Sequence, residues 1–481
     1  MSNGAAVQAD RYDALRSWAG SHGAQLHPNI EIAQDPVTGA GFQVKANPPG
    51  LQVNGGDTVV TCPMSITLSY LNALPNPPPG FRQESDESQF PSHFLKGAPP
   101  HVIGRFFLIK QYLLGKDSFW WPYIQALPQP DQQSSWLIPP FWPDEDVAYL
   151  HGTNLEISIR EIRSTLQDEY EKAKRLLEGW KNWGDYTNVL YNWAYSIFTS
   201  RSFMPTLVVP GISAQNDAQE IDWNSFSILL PLFDIGNHDM TALTSWKINN
   251  DAAGSCEFVT ANERPYTSGS QVFNNYGMKT NAKLLLAYGF TLDETPSLQN
   301  DYVHVRKRVV PDPNSSQPPP PAPEYLFSLR PMMDPSCYVG GISQHNYRDL
   351  EPRLFPAFKH VQAAMVLDIL EQILKNNEAL VDPSIPSSEE YLRRVLVADI
   401  PPEKAPILQI ILATIQQKAL QELEKLDENE PQPFEDEELS ENQLLALNFR
   451  AKCRDILHNV MDSIQDSTED SRFISLMGIG N

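Results

Sequence analysis

The stretch GSQVFNNYGMKTNAKLLLAYGF, residues 269–290, holds two Tyr-Gly pairs, at Tyr276-Gly277 and Tyr288-Gly289. Between them lies a short apolar run. Val272 and Phe273 suit a strand that ends at Tyr276-Gly277. Thr280 or Asn281 can cap a short helix, which Gly289 can terminate in the left-handed conformation. On that helix Leu284 and Tyr288 fall four residues apart on one face, which makes Tyr288 a packing residue first. Upstream, LLPLFDIGNHD, residues 229–239, reads as a buried strand running into Asp234 and then Asn237-His238. Asp and Asn beside Gly236 suit a turn, and equally present polar groups at a strand end.

Two shorter pieces matter only in company. VTGAGF, residues 37–42, lies among strands, and its glycines let backbone come close to a ligand. It lacks the helix and spacing of a dinucleotide fingerprint. SIFTSRSF, residues 196–203, ends a helical segment. Arg201 there suits a helix C-terminus, and also suits a bound carboxylate.

The wider chain frames these pieces. Its 481 residues exceed one ordinary core and predict two or three domains. Hydrophobic residues at 41% and aromatics at 10% fit a folded chain. A net charge of −23 excludes a general nucleic-acid binder and fits a basic protein partner. Cys62, Cys256, Cys337 and Cys453 are far apart, so neither a zinc cluster nor a disulfide framework is expected, and no metal. The start has no basic, apolar leader, and the most apolar segment, residues 406–415, is too short to span a bilayer. A soluble protein of cytoplasm or nucleus, without a membrane partner, is expected.

Residues 10–22 read as an amphipathic helix. Short strand-like runs (GFQVKA, LQV, DTVVTCP) follow, punctuated by Gly and Pro. From about 100 to 203 the period becomes helical, and from 226 to 290 strand signals return (FSILLPLFD, TSWKI, CEFVT, SQVFNN). Residues 311–324, PDPNSSQPPPPAPE, read as a polyproline linker within 301–324. Residues 325–481 read as an all-α domain, whose last long helix opens on a capping box, Ser440 with Gln443.

In order and spacing, GAGF, SRSF, LLPLFDIGNHD and GSQVFNNYGMKTNAKLLLAYGF together resemble the SET-domain protein methyltransferases. The chain is most similar to the rubisco large-subunit methyltransferase branch. The resemblance covers residues 10–300 by motif and 325–481 by architecture. It implies an α+β fold: a SET β-fold over 10–300 with a knot-like site and a helical insert at about 100–203, followed by the all-α C-terminal substrate-binding-type domain. It implies S-adenosylmethionine as cofactor and a protein lysine as acceptor. Thr38, Gly39 and Ala40 would hold the cofactor's amino-acid end, Asn237 and His238 its adenosine part, and Arg201 its carboxylate.

Tyr276 takes the family's catalytic position. Phe203, Asp234, Trp246, Phe258 and, less directly, Tyr288 are the expected substrate contacts, with Trp246 where the branch often has Tyr. The cysteine-rich zinc segments of histone-directed SET enzymes are missing, which favours a non-histone substrate; fungal members of the branch act on ribosomal proteins and elongation factors, so the resemblance implies a translation component as acceptor. A monomer acting on a basic protein is expected. Histidine methylation, as in the actin-directed relatives, is the alternative, although those lack a Tyr-Gly-Phe like that at Tyr288. A non-catalytic SET-fold adaptor is a third reading.

Overall fold

The computed structural model describes residues 2–84, 89–132, 136, 138–211, 221–250, 254–307, 322–432 and 438–478, with backbone alone over 2–10. The chain forms two compact units. The first comprises Met1–Ile138 and Ile162–Gly277, the second Pro139–Glu161 and Met278–Asn481. Among the described residues no helix is long and apolar enough to cross a membrane.

In the first unit, short antiparallel strands make several small sheets. Strands β1 (Gln25–Leu26), β5 (Thr58–Pro63), β9 (Ser255–Thr260) and β8 (Thr244–Asn249) form one sheet, in the order β1-β5-β9-β8. A second is β11-β3-β2, from Gln271–Val272, Gly39–Val44 and Ile30–Asp35. Two ribbons, β10-β4 (Tyr266–Thr267, Gln52–Val53) and β6-β7 (Ser202–Phe203, Ile228–Leu229), complete it. The strands are short because Gly and Pro interrupt every apolar run, and no sheet is wide enough to stand alone. They share one aromatic core instead, in which Phe42, Phe233 and Phe258 have no exposed surface.

The helices Pro100–Leu114 and Asn188–Arg201 lie between β5 and β6 in the chain. They are tied through Glu169, which accepts from Arg105 and from the Tyr191 hydroxyl at 2.9 Å. The helix Trp121–Ala126 is fixed by its neighbour Trp120, whose indole donates to Ile66 O at 2.9 Å. The N-terminal helix Ser2–Ser21 packs on it.

Two strand readings shorten in the structure. The run FSILLPLFD is strand only at Ile228–Leu229, because Pro231 cannot donate to a ladder and Leu232 sits at φ +71°. SQVFNN is strand only at Gln271–Val272, beyond which the chain leaves β3.

In the second unit, β12 (Tyr302–Arg306) pairs in antiparallel register with β13 (Glu324–Ser328). Residues 302–306, expected within a linker, are therefore strand: Tyr302, Val303 and Val305 are buried by the pairing. Most of the polyproline tract, 308–321, lies outside the described residues. Helices Ala363–Asn376, Ala405–Glu428 and Glu441–Glu469 supply most of the remaining core. Buried Arg450 on the last of these donates to Leu426 O at 2.7 Å and Asn429 O at 3.1 Å, closing the end of the preceding helix. The capping box forms as read. Gln443 N donates to Ser440 Oγ at 3.1 Å and Ser440 N to Gln443 Oε1 at 3.0 Å. Ser440→Ala removes one half of that box and the bond from its hydroxyl to Asp146. The expected cost is about 1 kcal/mol, seen by calorimetry as a fall of about 3 °C in the second unit's unfolding midpoint.

Candidate active site

The site is built where two distant segments cross. Asn274 N donates to Asn237 O at 2.7 Å, and Asp239 N donates to Asn274 O at 3.0 Å. These bonds make a parallel bridge between His238 and Asn274. The stretch before Tyr276 is thus laid alongside the Asn-His pair. Gly277, at φ +93°, then turns the chain away.

The crossing fixes Tyr276 twice. Its backbone N–H donates to His238 Nδ1 at 3.1 Å, and its hydroxyl donates to Gly236 O at 2.9 Å. The two rings stack with centroids 5.0 Å apart and planes 13° from parallel. Because His238 Nδ1 accepts, the neutral ring carries its proton on Nε2. Because the Tyr276 proton is committed to Gly236 O, the phenol oxygen can only accept from a further group.

Asn237 joins this crossing to the GAGF strand. Its amide donates to Ala40 O at 3.1 Å and to Gln271 Oε1 at 3.2 Å, and Gln271 donates on to Thr38 Oγ1 at 3.0 Å. The turn before it is held by Asp35, whose Oδ1 accepts from Val37 N and Thr38 N, both at 2.8 Å. These bonds hold the carboxyl below its ordinary range. Gly39 sits at φ +75° in that turn. Gly41 has a steric reason to be glycine, since a Cβ there would lie 2.7 Å from Asn237 Nδ2.

A buried acid lies beside them. Asp234 occupies the turn Phe233–Ile235 that follows the strained Leu232. Its Oδ2 accepts from the Tyr123 hydroxyl at 2.7 Å and lies 3.9 Å from Arg201 Nη1, while Arg201 also donates to Asp234 O at 3.2 Å. Burial raises the Asp234 pKa to about 6, against the pull of Arg201 and Tyr123. Burial also opposes the Arg201 charge, but Asp234, with the Tyr123, Tyr12 and Tyr276 phenols, outweighs it and holds the guanidinium above its ordinary value.

An aromatic wall completes the site. Trp246 meets Phe203 edge-to-face at 5.0 Å, Phe203 meets Phe233 at 5.2 Å, and Phe233 meets Phe258 at 5.9 Å. The indole N–H donates to Asn274 Oδ1 at 3.0 Å, so the same asparagine that makes the crossing also orients the wall.

Eleven of the twelve residues singled out in the sequence lie in the first unit: Thr38, Gly39, Ala40, Arg201, Phe203, Asp234, Asn237, His238, Trp246, Phe258 and Tyr276. One expectation needs correction, and one residue lies apart from the rest. Phe258 was read as a channel wall, but it has no exposed surface and packs against Phe42 and Phe233, so it backs the wall rather than facing a substrate. Tyr288 belongs to the second unit, at the end of the helix Asn281–Tyr288. There its ring meets Phe290 at 6.2 Å, and burial pushes its phenol up to about 12.

Sequence reading missed Gln271, Asn274 and Tyr123. The first two lie within the decisive stretch, where two Asn and a Gln beside a strand end were a polar signal left unread. Tyr123 is 111 residues from its partner and carries no local signal.

The donor set suits a nucleoside-bearing amino acid. Asn274 Nδ2 is a buried donor without a protein partner, and the Gly41 surface keeps side-chain bulk out of the cradle.

No profile of a protein family matches the chain. A ribosomal lysine N-methyltransferase, set10, of Schizosaccharomyces pombe is 27% identical over 291 residues, 60% of this chain and 47% of its own. The protein-lysine N-methyltransferase EFM1 of Saccharomyces cerevisiae is 24% identical over 324 residues, 58% of this chain and 49% of its own. The chain therefore spans about half the length of the curated relatives it matches. Among solved structures, the SET domain of LSMT bound to lysine and S-adenosylhomocysteine superposes with a TM-score of 0.62 at 14% identity, over 98% of this chain and 93% of that one. The chain has a SET-domain fold. Rubisco LSMT bound to S-adenosylmethionine superposes likewise, with a TM-score of 0.60 at 14% identity, over 97% of this chain and 93% of that one.

Asp234 gives the site a pH signature. A carboxyl raised from 3.8 to about 6 stabilises the fold below its unfolded value and loses that contribution as pH rises through its folded one. Asp234→Asn removes the titration. The variant's unfolding midpoint should therefore gain on the wild type between about pH 4 and about pH 7. A difference constant across that range would mean that Asp234 titrates normally.

Proposed function

We propose that the chain is an S-adenosylmethionine-dependent protein-lysine N-methyltransferase acting on a non-histone protein. The observation that carries this is the crossing at Asn274, which sets a tyrosine hydroxyl, a histidine, an asparagine amide and an aromatic wall around one point. The lysine-methyltransferase relatives and the shared fold support it. The net charge of −23 supports a basic acceptor, and the set10 relative supports a ribosomal protein as that acceptor.

The cofactor supplies an electrophilic methyl group, and the protein's part is binding and aim. Asn237 and His238, held against the GAGF strand, are the assigned adenosine contacts. The backbone at Thr38, Gly39 and Ala40 is assigned to the amino-acid end, and Arg201 to its carboxylate, since it commits one N–H of its fork to Asp234 O.

The acceptor lysine must be neutral when it reacts. At pH 7 deprotonation costs about 4.6 kcal/mol from an ordinary pKa near 10.4, and an apolar wall of Phe203 and Trp246 lowers that cost by disfavouring the ammonium. The Tyr276 oxygen, limited to accepting, takes an N–H of the amine and aims its lone pair along the line of displacement. Positioning of this kind is the large contribution in a direct transfer.

Incubating an extract with labelled cofactor and the chain, then sequencing labelled peptides by mass spectrometry, tests the reading. It predicts methyl-lysine in a basic protein; methyl-histidine would favour the alternative acceptor, and no label would favour an adaptor. Tyr276→Phe should retain the cofactor dissociation constant and lose about tenfold or more in turnover, about 1.4 kcal/mol in the barrier. Asn237→Ala should weaken cofactor binding in calorimetry, since its bonds to Ala40 and Gln271 go with it.

A further inference from the structure

Tyr123 is a fully buried phenol outside every motif of the site, and its hydroxyl goes to a carboxylate rather than to backbone. That carboxylate is unevenly partnered. Oδ2 takes Tyr123 and faces Arg201, whereas Oδ1 is buried with no partner. A fold that needed only to satisfy a buried tyrosine would do so more cheaply with a backbone carbonyl, because burying a carboxylate oxygen unpaired is costly. The preceding Leu232, at φ +71°, holds the turn that presents this acid in a strained conformation. Both costs make sense if Oδ1 is reserved for a donor that arrives from outside. Gly236, two residues after Asp234, accepts from the Tyr276 hydroxyl at 2.9 Å, which puts the turn that carries the acid at the reacting end of the site.

Resting on the lysine-methyltransferase reading, we propose that Tyr123 is a positioning residue for methyl transfer: by holding Asp234 Oδ2, it keeps Oδ1 open to accept an N–H of the incoming lysine amine. Tyr123 can do this because its side chain is buried. It projects from the helix Trp121–Ala126, whose Trp120 packs edge-to-face on Phe107 at 5.5 Å and donates to Ile66 O. The groups facing Asp234 are Tyr123, Arg201 at the end of the helix Asn188–Arg201, and the buried Cys62 thiol of β5. Strand β3, which also packs on the Asp234 turn, brings no titratable side chain. Of these, Tyr123 is the one neutral donor at the carboxylate. Its loss disfavours the ionised form and frees the side chain to rotate.

The test uses the full chain with extract protein as methyl acceptor and labelled cofactor, following rate against pH and acceptor concentration. Tyr123→Phe should raise the apparent KM for acceptor protein by about tenfold, move the acid limb of kcat/KM up by about one pH unit, and leave the cofactor dissociation constant in place. Asp234→Asn should abolish that limb. In case the phenylalanine variant misfolds, 3-fluorotyrosine at position 123 keeps the ring and strengthens the donor, and should move the acid limb the opposite way. An active wild type whose acid limb is unmoved by either change at Tyr123, with only stability or kcat lowered, overturns the inference and leaves the enzyme reading standing. A wild type that labels no lysine overturns the enzyme reading and this inference with it.

Discussion

The structure of the first unit turns on two backbone hydrogen bonds at one residue. Asn274 gives its N–H to Asn237 and takes the N–H of Asp239, so a segment near residue 275 is threaded beside one near residue 237. Neither segment is regular strand at that point, so no wider ladder would hold them if these bonds were lost. Three of the site's side chains hang from this crossing. Tyr276 follows it and reaches back to His238 and Gly236, Trp246 is aimed by the Asn274 side chain, and Asn237 reaches out to the GAGF strand. Because the crossing is buried, the bonds work in a medium where unpaired amides would be expensive, and that expense makes the arrangement specific.

Around the crossing, two kinds of environment sit side by side. On one side aromatic rings pack edge-to-face and disfavour charge. On the other a buried carboxylate takes the Tyr123 hydroxyl and faces the Arg201 guanidinium, with the acid raised to about 6. A methyl transfer to an amine needs both. The acceptor arrives as a cation and reacts as a neutral nucleophile, so a surface that tolerates the first form must adjoin one that favours the second. Tyr276, between them, has its proton fixed and only an accepting role left.

Much of this was legible in the sequence because the decisive chemistry is local. Asn237-His238 and Tyr276-Gly277 sit in long, distinctive stretches, and Thr280, Gly289, Ser440 and Gln443 cap their helices as their types require. What was not legible depends on contacts between remote residues. Trp246 and Phe258 are direct cross-strand partners and looked equivalent as wall residues. Strand order separates them: β8 is the sheet edge and leaves Trp246 half exposed, whereas β9 is flanked on both sides and buries Phe258 completely. Tyr123 is silent for the same reason, as a tyrosine in a helical insert whose partner is far along the chain. Residues 302–306 were read with the proline-rich tract that follows them, although their alternation of apolar and polar side chains was that of a strand.

The central claim is that the crossing at Asn274 is where the cofactor is held. Amide hydrogen exchange followed by mass spectrometry, with and without S-adenosylmethionine, tests it most directly. The account predicts added protection concentrated in the peptides covering residues 35–42, 234–239 and 271–277. Protection confined to the second unit, or no change on adding the cofactor, would contradict it.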